Sequence, residues 1–172
     1  MYWLLLLLAA ADPTPAEVRN AAVIADARSL KGIEYRWEGR NIERLPGLDC
    51  LGLMFRPYGR ATGRSWKSYE VNPSELVAGG KLGKPVPGVA GVTRKDFDLA
   101  LLKTGDVLYF LLEGYVIEDK PLMTRNGRKF WPWHTGLYVG DGVVIHAEPG
   151  GVVREQPLRE VNFDALFATR LP

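Results

Sequence analysis

Residues 134–147, HTGLYVGDGVVIHA, decide the fold. Two apolar runs flank Gly140-Asp141-Gly142, and a glycine-rich break of this kind is typical of a β-hairpin. If all three residues form the loop, Gly136 pairs with His146, and His134 lies diagonally across from His146 on the same face. A loop of only two residues would put the two histidines on opposite faces. We expect the three-residue loop and the shared face.

The regions around this hairpin predict an α+β domain, with N-terminal helices packed on a central antiparallel β-sheet. A nearly continuous apolar run predicts a strand over residues 106–112. Further strands are expected at residues 135–139, 143–147, 152–155 and 166–170. The order of helices first and strands later indicates a single domain whose strands form an antiparallel meander.

Three helices are expected in the N-terminal half. Thr14-Pro15-Ala16-Glu17 has the residues of a capping box and predicts a helix that reaches about Leu30. Asp49 is a candidate cap for a second helix, which Pro57 should end or kink after about two turns. Asn72, followed by a proline, is the expected cap of a short third helix.

Length and composition exclude several classes of protein. The chain has 172 residues, of which 47% are hydrophobic and 24% are charged, so it has the composition of one globular domain. The net charge of +2, with no basic stripe, argues against a nucleic-acid partner. A single cysteine excludes an internal disulfide and a multi-cysteine zinc motif. No obligate protein partner is indicated.

The N-terminal segment YWLLLLLAAA, residues 2–11, is too short to span a bilayer. Its length and terminal alanines are typical of the apolar part of a secretory signal, although no Lys or Arg precedes the leucines. We predict a signal peptide and short linker over residues 1–15, one domain over 16–172, and a secreted or periplasmic location. The alternative is a buried first helix.

Cys50 and two histidines are the candidate catalytic residues. Cys50 follows the capping Asp49, and the positive end of a helix dipole favours a thiolate there. The Asp49 carboxylate opposes that effect, so a nearby imidazole is needed to activate the thiol. Cys50 could instead be a small buried apolar residue. The shared face predicted for His134 and His146 favours the catalytic interpretation.

The sequence resembles the NlpC-type cysteine peptidases, which are papain-like bacterial cell-wall hydrolases. The resemblance runs from about Ala16 to the C-terminus. It rests on ordered blocks of sequence: Tyr35-Arg36-Trp37-Glu38-Gly39, Leu48-Asp49-Cys50-Leu51-Gly52-Leu53, Lys103-Thr104-Gly105-Asp106-Val107-Leu108-Tyr109-Phe110, residues 134–142 and Val144-Ile145-His146-Ala147. The ordered set is specific, whereas any single block is a weak signal.

The resemblance implies a Cys-His-His set that needs no metal or organic cofactor. Cys50 would attack a peptide carbonyl, His134 would act as general base and acid, and His146 would orient His134. Backbone N–H groups at the start of the Cys50 helix would stabilise the oxyanion. The implied substrate is the stem peptide of peptidoglycan, which the family often cuts between D-glutamate and diaminopimelate.

Several positions bear on substrate binding. Family members that bind a free stem amino terminus use a Ser after the nucleophile, where this chain has Leu51, so the bond that is cut and the stem length are left open. Tyr35 and Asp49 match family positions that can contact substrate, although Asp49 is equally explained as a helix cap and Tyr35 as a core residue. Trp133 is a third candidate substrate-binding residue.

Residues 113–133 form an insert before His134, and Asn126-Gly127 predicts that it is itself a hairpin. One interpretation is a specificity flap with aromatic walls and cations that face stem carboxylates. The other is a solvated turn whose tryptophans cover the core. The residues in question are Trp131, Trp133, Arg125, Arg128 and Lys129.

Two other functions remain open at this point. The same fold could act as an amidase or acyltransferase on another amide or ester. Alternatively, the chain could be a non-catalytic wall-binding module, or Cys50, His134 and His146 could hold a zinc ion with water in the fourth position.

Overall fold

A computed structural model of the chain describes residues 12–41, 47–89, 91–114 and 120–172. Most of the predicted signal peptide, residues 1–11, lies outside the described residues, as do residues 115–119 of the insert. No helix within the described ranges is long and apolar enough to cross a membrane.

The first helix, α1 (Pro15–Ser29), begins with the predicted capping box. The Glu17 carboxylate accepts the Thr14 N–H at 2.7 Å, and the Thr14 hydroxyl accepts the Glu17 N–H at 3.3 Å. Leu30 caps the C-terminus, as expected. The buried side chains of α1 face the second helix and the core; they are Val23, Ile24 and Ala27.

The second helix, α2 (Cys50–Thr62), runs through Pro57, where an end or a kink was predicted, so the predicted end is wrong. Pro57 has no N–H to donate to the carbonyl four residues earlier, which normally breaks a helix. Here nearly the whole length of α2 from Leu51 to Gly59 is buried against α1 and the sheet, and that packing outweighs the missing hydrogen bond. The helix ends only at Gly63, whose φ of 70° a glycine adopts without strain.

The third helix, α3 (Pro73–Gly79), lies where it was predicted. Asn72 occupies the capping position, but its side chain makes no capping hydrogen bond. The role predicted for the Asn72 side chain is therefore wrong. Asn72 instead lines the cleft described below.

Eight strands form one antiparallel sheet in the order β1-β8-β3-β5-β6-β7, with β2 added beside β8 and β4 beside β5. The predicted meander is present as β3-β5-β6-β7, and the last strand returns to the other side of β3. The strands are β1 (Lys84–Pro85), β2 (Val92–Thr93), β3 (Val107–Glu113), β4 (Met123–Arg125), β5 (Arg128–Gly140), β6 (Val143–Ala147), β7 (Val153–Pro157) and β8 (Ala165–Arg170).

Each face of the sheet is covered by a different kind of structure. Side chains alternate along β3, so Tyr109 packs on the helix side and Phe110 on the opposite side. The helix side contacts α1 and α2, and the opposite side is covered by connecting segments that include Val86, Leu102 and Phe163. This arrangement confirms the α+β prediction.

The turn between β5 and β6 differs from the predicted three-residue loop. Only Asp141 and Gly142 form the turn, with φ angles of 51° and 71°, and Gly140 pairs with Val143. The register then shifts by one residue, so that Tyr138 pairs with Val144. A two-residue turn alone would separate the histidines, but the extra residue of this bulge restores the shared face.

A buried ion pair ties the start of β3 to the end of β8. Asp106 is fully buried, and its carboxylate accepts hydrogen bonds from the Arg170 Nε and Nη2 groups at 2.6 and 2.7 Å. It also accepts the Lys103 N–H at 2.8 Å. The carboxylate raises the pKa of Arg170 above its ordinary value. The Tyr58 hydroxyl of α2 donates to the Gly105 carbonyl in the same turn, so this segment also supports α2.

We expect Asp106→Asn to lower the free energy of unfolding by about 2–4 kcal/mol, because it leaves the Arg170 guanidinium without its carboxylate. This loss is smaller than the loss on breaking a fully buried ion pair, because the Arg170 side chain is partly exposed. Glu155→Gln is the control, because Arg28 and Lys31 pair with Glu155 at the surface and the cost should stay under about 1 kcal/mol. Equal losses in urea unfolding would contradict the structural role of Asp106.

Candidate active site

Asp49 positions the first turn of α2, where Cys50 is the first residue. The Asp49 Oδ1 atom accepts the Gly52 N–H at 2.6 Å, which satisfies one of the free N–H groups at the helix start. Its Oδ2 atom accepts the Nε–H of Arg40 at 3.1 Å. Burial raises the pKa of Asp49, although the Gly52 N–H and the Arg40 guanidinium act in the opposite direction.

The tight turn at residues 36–39 packs directly on the start of α2. The Gly39 carbonyl accepts the Asp49 N–H at 3.0 Å, and Glu38 has a φ of 61°. A Cβ atom on Gly52 would lie only 2.1 Å from the Gly39 carbonyl oxygen. The block rich in Tyr, Trp and Gly therefore packs against the N-terminus of α2, and glycine at position 52 permits the close approach.

A second bulge, in β5, sets the position of His134. Phe110 of β3 pairs with His134, and the next residue of β3 pairs with Pro132, which leaves Trp133 as the extra residue. The imidazole of His134 packs against two aromatic rings, with centroid distances of 5.8 Å to Phe110 and 5.1 Å to Trp133. Bulges commonly re-aim a side chain next to a functional site.

The two histidines contact each other through a hydrogen bond of 2.7 Å between His134 Nε2 and His146 Nδ1. The other ring nitrogen of His134, Nδ1, is buried and has no hydrogen-bond partner among the described residues. If the Nε2–H of His134 donates to His146, the His134 Nδ1 atom carries a lone pair and can accept a proton. The Cys-His-His set can thus present a base at Nδ1.

Burial keeps the site uncharged at rest. It lowers the pKa of His134 to about 3, with a smaller contribution from the neighbouring His146. It also lowers the pKa of His146, against a smaller raising effect of Gln156. Burial and then the Asp49 carboxylate raise the pKa of the Cys50 thiol to about 11, although Thr135 beside it acts in the opposite direction. Burial and Asp49 therefore outweigh the hydrogen bonds from Thr135 and the Leu51 backbone, which lower the pKa of Cys50.

The candidate residues meet at a cleft of about 480 Å³. Cys50, Asp49, Trp133 and His134 line this cleft, and His146 lies behind His134 with 3% of its surface exposed. Tyr35 packs against the core on the helix side and is not among the described residues that line the cleft.

Several residues of the cleft wall carry no signal in the sequence that marks them as functional. They come from three separate segments that only the fold brings together, and they are Trp37, Glu38, Arg40, Val71, Asn72, Pro73, Pro132 and Thr135. The one available signal was the position of Trp37 and Glu38 inside the Tyr-, Trp- and Gly-rich block.

The insert contains the predicted hairpin, since Asn126 and Gly127 form its turn with φ angles of 50° and 76°. Its cations do not line the cleft. Arg128 pairs with Glu113, and Arg125 Nη1 donates to the Gly91 carbonyl at 3.3 Å. Trp133 does face the cleft, while its Nε1–H donates to the Asn162 carbonyl at 3.0 Å. The aromatic part of the flap interpretation is therefore supported, and the cationic part concerning Arg125 and Arg128 is not.

The geometry of the histidines does not suit a zinc ion. Two nitrogen ligands of one tetrahedral zinc, each at about 2.0–2.1 Å, lie roughly 3.3 Å apart. The facing nitrogens of His134 and His146 are 2.7 Å apart, which is a hydrogen-bond distance. Within the described ranges, no group of three or more His, Cys, Asp and Glu side chains could hold a metal.

Comparison of the fold with known proteins identifies one kind of domain. No family model and no curated protein matches the sequence. Among solved structures, the NlpC/p60 domain of the peptidoglycan hydrolase SagA matches with a TM-score of 0.53 and 24% identity, over 88% of this chain and 98% of that chain. The peptidoglycan hydrolase RipB of Mycobacterium tuberculosis matches with a TM-score of 0.58 and 21% identity, over 91% of this chain and 66% of that chain.

A third similar structure differs in activity. RipD of Mycobacterium tuberculosis, described as a non-catalytic NlpC/p60 domain protein adapted to peptidoglycan binding, matches with a TM-score of 0.55. It is 18% identical, over 90% of this chain and 98% of that chain. The chain therefore has the NlpC/p60 fold, and this fold occurs with and without catalysis.

We expect Gly52→Ala to destabilise the protein by about 1–3 kcal/mol, because its Cβ would collide with the Gly39 carbonyl. On helix propensity alone the same substitution would stabilise the helix by about 1 kcal/mol. The matched control is Gly79→Ala at the end of α3, where the new Cβ would meet only the flexible Glu70 side chain at 3.2 Å. Urea unfolding measures the stability of both variants. A Gly52→Ala protein that is more stable than the wild type would contradict the close contact between Gly52 and the Gly39 carbonyl.

The raised pKa of Cys50 predicts a steep pH dependence of alkylation. Below a pKa of about 11, the thiolate fraction and hence the iodoacetamide rate should rise about tenfold per pH unit from pH 6 to 9. The measurement is the rate of carboxamidomethylation by mass spectrometry. If the alkylation rate already reaches a plateau by pH 7, Cys50 and His134 form a thiolate–imidazolium pair at rest, and the pKa of Cys50 is not raised. His134→Ala should keep the same slope.

Proposed function

We propose that this protein is a cysteine peptidase that hydrolyses peptide bonds in the stem peptides of peptidoglycan. The observation that carries the proposal is the hydrogen bond that orients His134 through its Nε2 atom, in the cleft that Cys50 also lines. The NlpC/p60 fold, shared with the peptidoglycan hydrolases SagA and RipB, supports the substrate class. The bond between D-glutamate and diaminopimelate is the candidate cleavage point, and a secreted or periplasmic location follows from that substrate.

The first step in this proposal is attack by Cys50 on the peptide carbonyl. Both the thiol and His134 are uncharged at rest, so the proton moves from sulfur to His134 Nδ1 as the carbon–sulfur bond forms. Backbone N–H groups at the start of α2 stabilise the oxyanion, because they point out of the positive end of the helix. His146 stabilises the imidazolium by accepting its Nε2–H.

In the second step the leaving amine takes the proton from His134 and departs, which leaves an acyl thioester on Cys50. His134 Nδ1 then accepts a proton from water as the water attacks the thioester. The proton returns to the sulfur when the carboxylic acid product leaves. A neutral His146 suits this cycle, since it fixes the His134 ring and tautomer without adding a negative charge beside the thiol.

The test is incubation of purified protein with muropeptides, with products followed by mass spectrometry. We expect stem fragments whose formation falls at least 10³-fold in Cys50→Ala and about 10²–10⁴-fold in His134→Ala. His146→Asn retains a side-chain acceptor for the His134 Nε2–H and should lose less activity than His146→Ala.

The controls separate the alternatives. Fragments formed equally well by Cys50→Ala would exclude a thiol mechanism. If muropeptides stay intact while Cys50 still reacts with iodoacetamide, the substrate is another amide or ester. If the muropeptides stay intact and bind equally well to the wild-type and Cys50→Ala proteins, the domain binds the wall without catalysis, as is described for RipD.

A further inference from the structure

Asp49, which is only 2% exposed, uses both of its carboxylate oxygens within the protein. Oδ1 accepts the Gly52 N–H and Oδ2 accepts the Arg40 Nε–H, so the negative charge is compensated beside the cleft. A substrate ammonium group that approached Asp49 would meet a carboxylate already satisfied and a guanidinium next to it. Asp49 therefore holds Arg40 in place and is a poor receptor for an amino terminus.

The residue after the nucleophile gives no polar help to an ammonium group. Leu51 is 6% exposed and lines the cleft with an apolar side chain. Among the described residues of the cleft wall, the acidic side chains are Asp49 and Glu38. Glu38 is exposed on the turn at residues 36–39, and its carboxylate opposes the binding of an anion.

Arg40 connects the catalytic cleft to a second pocket. This pocket, of about 190 Å³, lies on the other side of Arg40 and is lined by Arg40, Arg56, Arg60 and Arg64. No acidic side chain is among the described residues that line it. Asp26 lies behind the pocket, where it pairs with Arg60 at 2.5 Å and with Arg56 at 3.7 Å. One carboxylate thus serves two of the arginines, and among the described residues the pocket keeps a surplus of positive charge.

We infer that Arg40 binds a carboxylate of the substrate, and that the arginine pocket beside it attracts acidic groups to this end of the cleft. The inference rests on the proposed function and specifies its substrate as an acidic peptide. A guanidinium has five N–H donors in a planar fork, and Asp49 occupies the one on Nε. The side chain is 19% exposed, so a carboxylate that contacts it meets a partly desolvated cation.

The stem peptide supplies a suitable group, because a γ-linked D-glutamyl residue keeps a free α-carboxylate. The experiment compares two synthetic peptides, L-alanyl-γ-D-glutamyl-diaminopimelate and its D-isoglutaminyl analogue, each amidated at the C-terminal residue. The two peptides differ only in whether the α-carboxyl group of the D-glutamyl residue is a free carboxylate or a carboxamide. Binding is measured by calorimetry on the Cys50→Ala protein, so that the result does not depend on turnover.

We expect the carboxylate peptide to bind at least tenfold more tightly than the carboxamide, and the difference to shrink as salt is raised. Arg40→Gln should abolish the difference, and Arg40→Lys should retain part of it. Arg28→Gln is the matched control, because Arg28 also pairs with a carboxylate, Glu155, but does not line either pocket, and it should keep the full difference. Each variant is checked for cooperative unfolding.

Asp49→Asn guards against a folding defect in Arg40→Gln. Asparagine caps a helix as well as aspartate, so the start of α2 should persist while Arg40 keeps its charge. This variant should still prefer the carboxylate peptide. If Asp49→Asn instead loses affinity for both peptides while Arg40→Gln keeps the carboxylate preference, then Asp49 is the substrate receptor and the inference is wrong.

Other outcomes also decide the matter. Equal affinities for the two peptides, or no binding of either at millimolar concentration, would overturn the role of Arg40. Wild-type protein that cleaves neither peptide, beside a Cys50→Ala protein that prefers the carboxylate, would contradict the peptidase proposal and support the role of Arg40 in binding.

Discussion

The register of β5 is the constraint on which the candidate site depends. This strand pairs with β3 on one side and with β4 and β6 on the other, so each residue along it has a determined face. Two bulges, at Trp133 and next to Gly140, each shift the pairing by one residue. A shift of one residue reverses every side chain, so His134 and His146 share a face only because β5 carries the extra residue before its turn.

The other half of the site is held by contacts at the start of α2. Gly52 lies against the Gly39 carbonyl, Asp49 caps the first turn, and Tyr58 is tied to the turn that precedes β3. These contacts position Cys50 over the sheet. The site is accordingly built from short-range packing between glycines and from hydrogen bonds to backbone groups, which tolerate little displacement.

Burial gives this site its chemical character. It raises the pKa of Cys50 and lowers that of His134, so that both groups are uncharged at neutral pH. Asp49 fixes the Arg40 guanidinium at one end of the cleft, where the cleft adjoins the arginine pocket.

The sequence by itself determined the three helices and the strands of the meander, but not the short strands β1 and β2, because helix-start residues and apolar periodicity are local properties. It also determined which residues could carry the chemistry, since there is one cysteine and there are only two histidines. Only the tertiary structure decided that α2 continues through Pro57, that a bulge compensates for a two-residue turn, and that Arg40 pairs with Asp49. Each of these three features depends on burial or on contacts between distant segments. Burial and such contacts leave no periodic signal in the sequence.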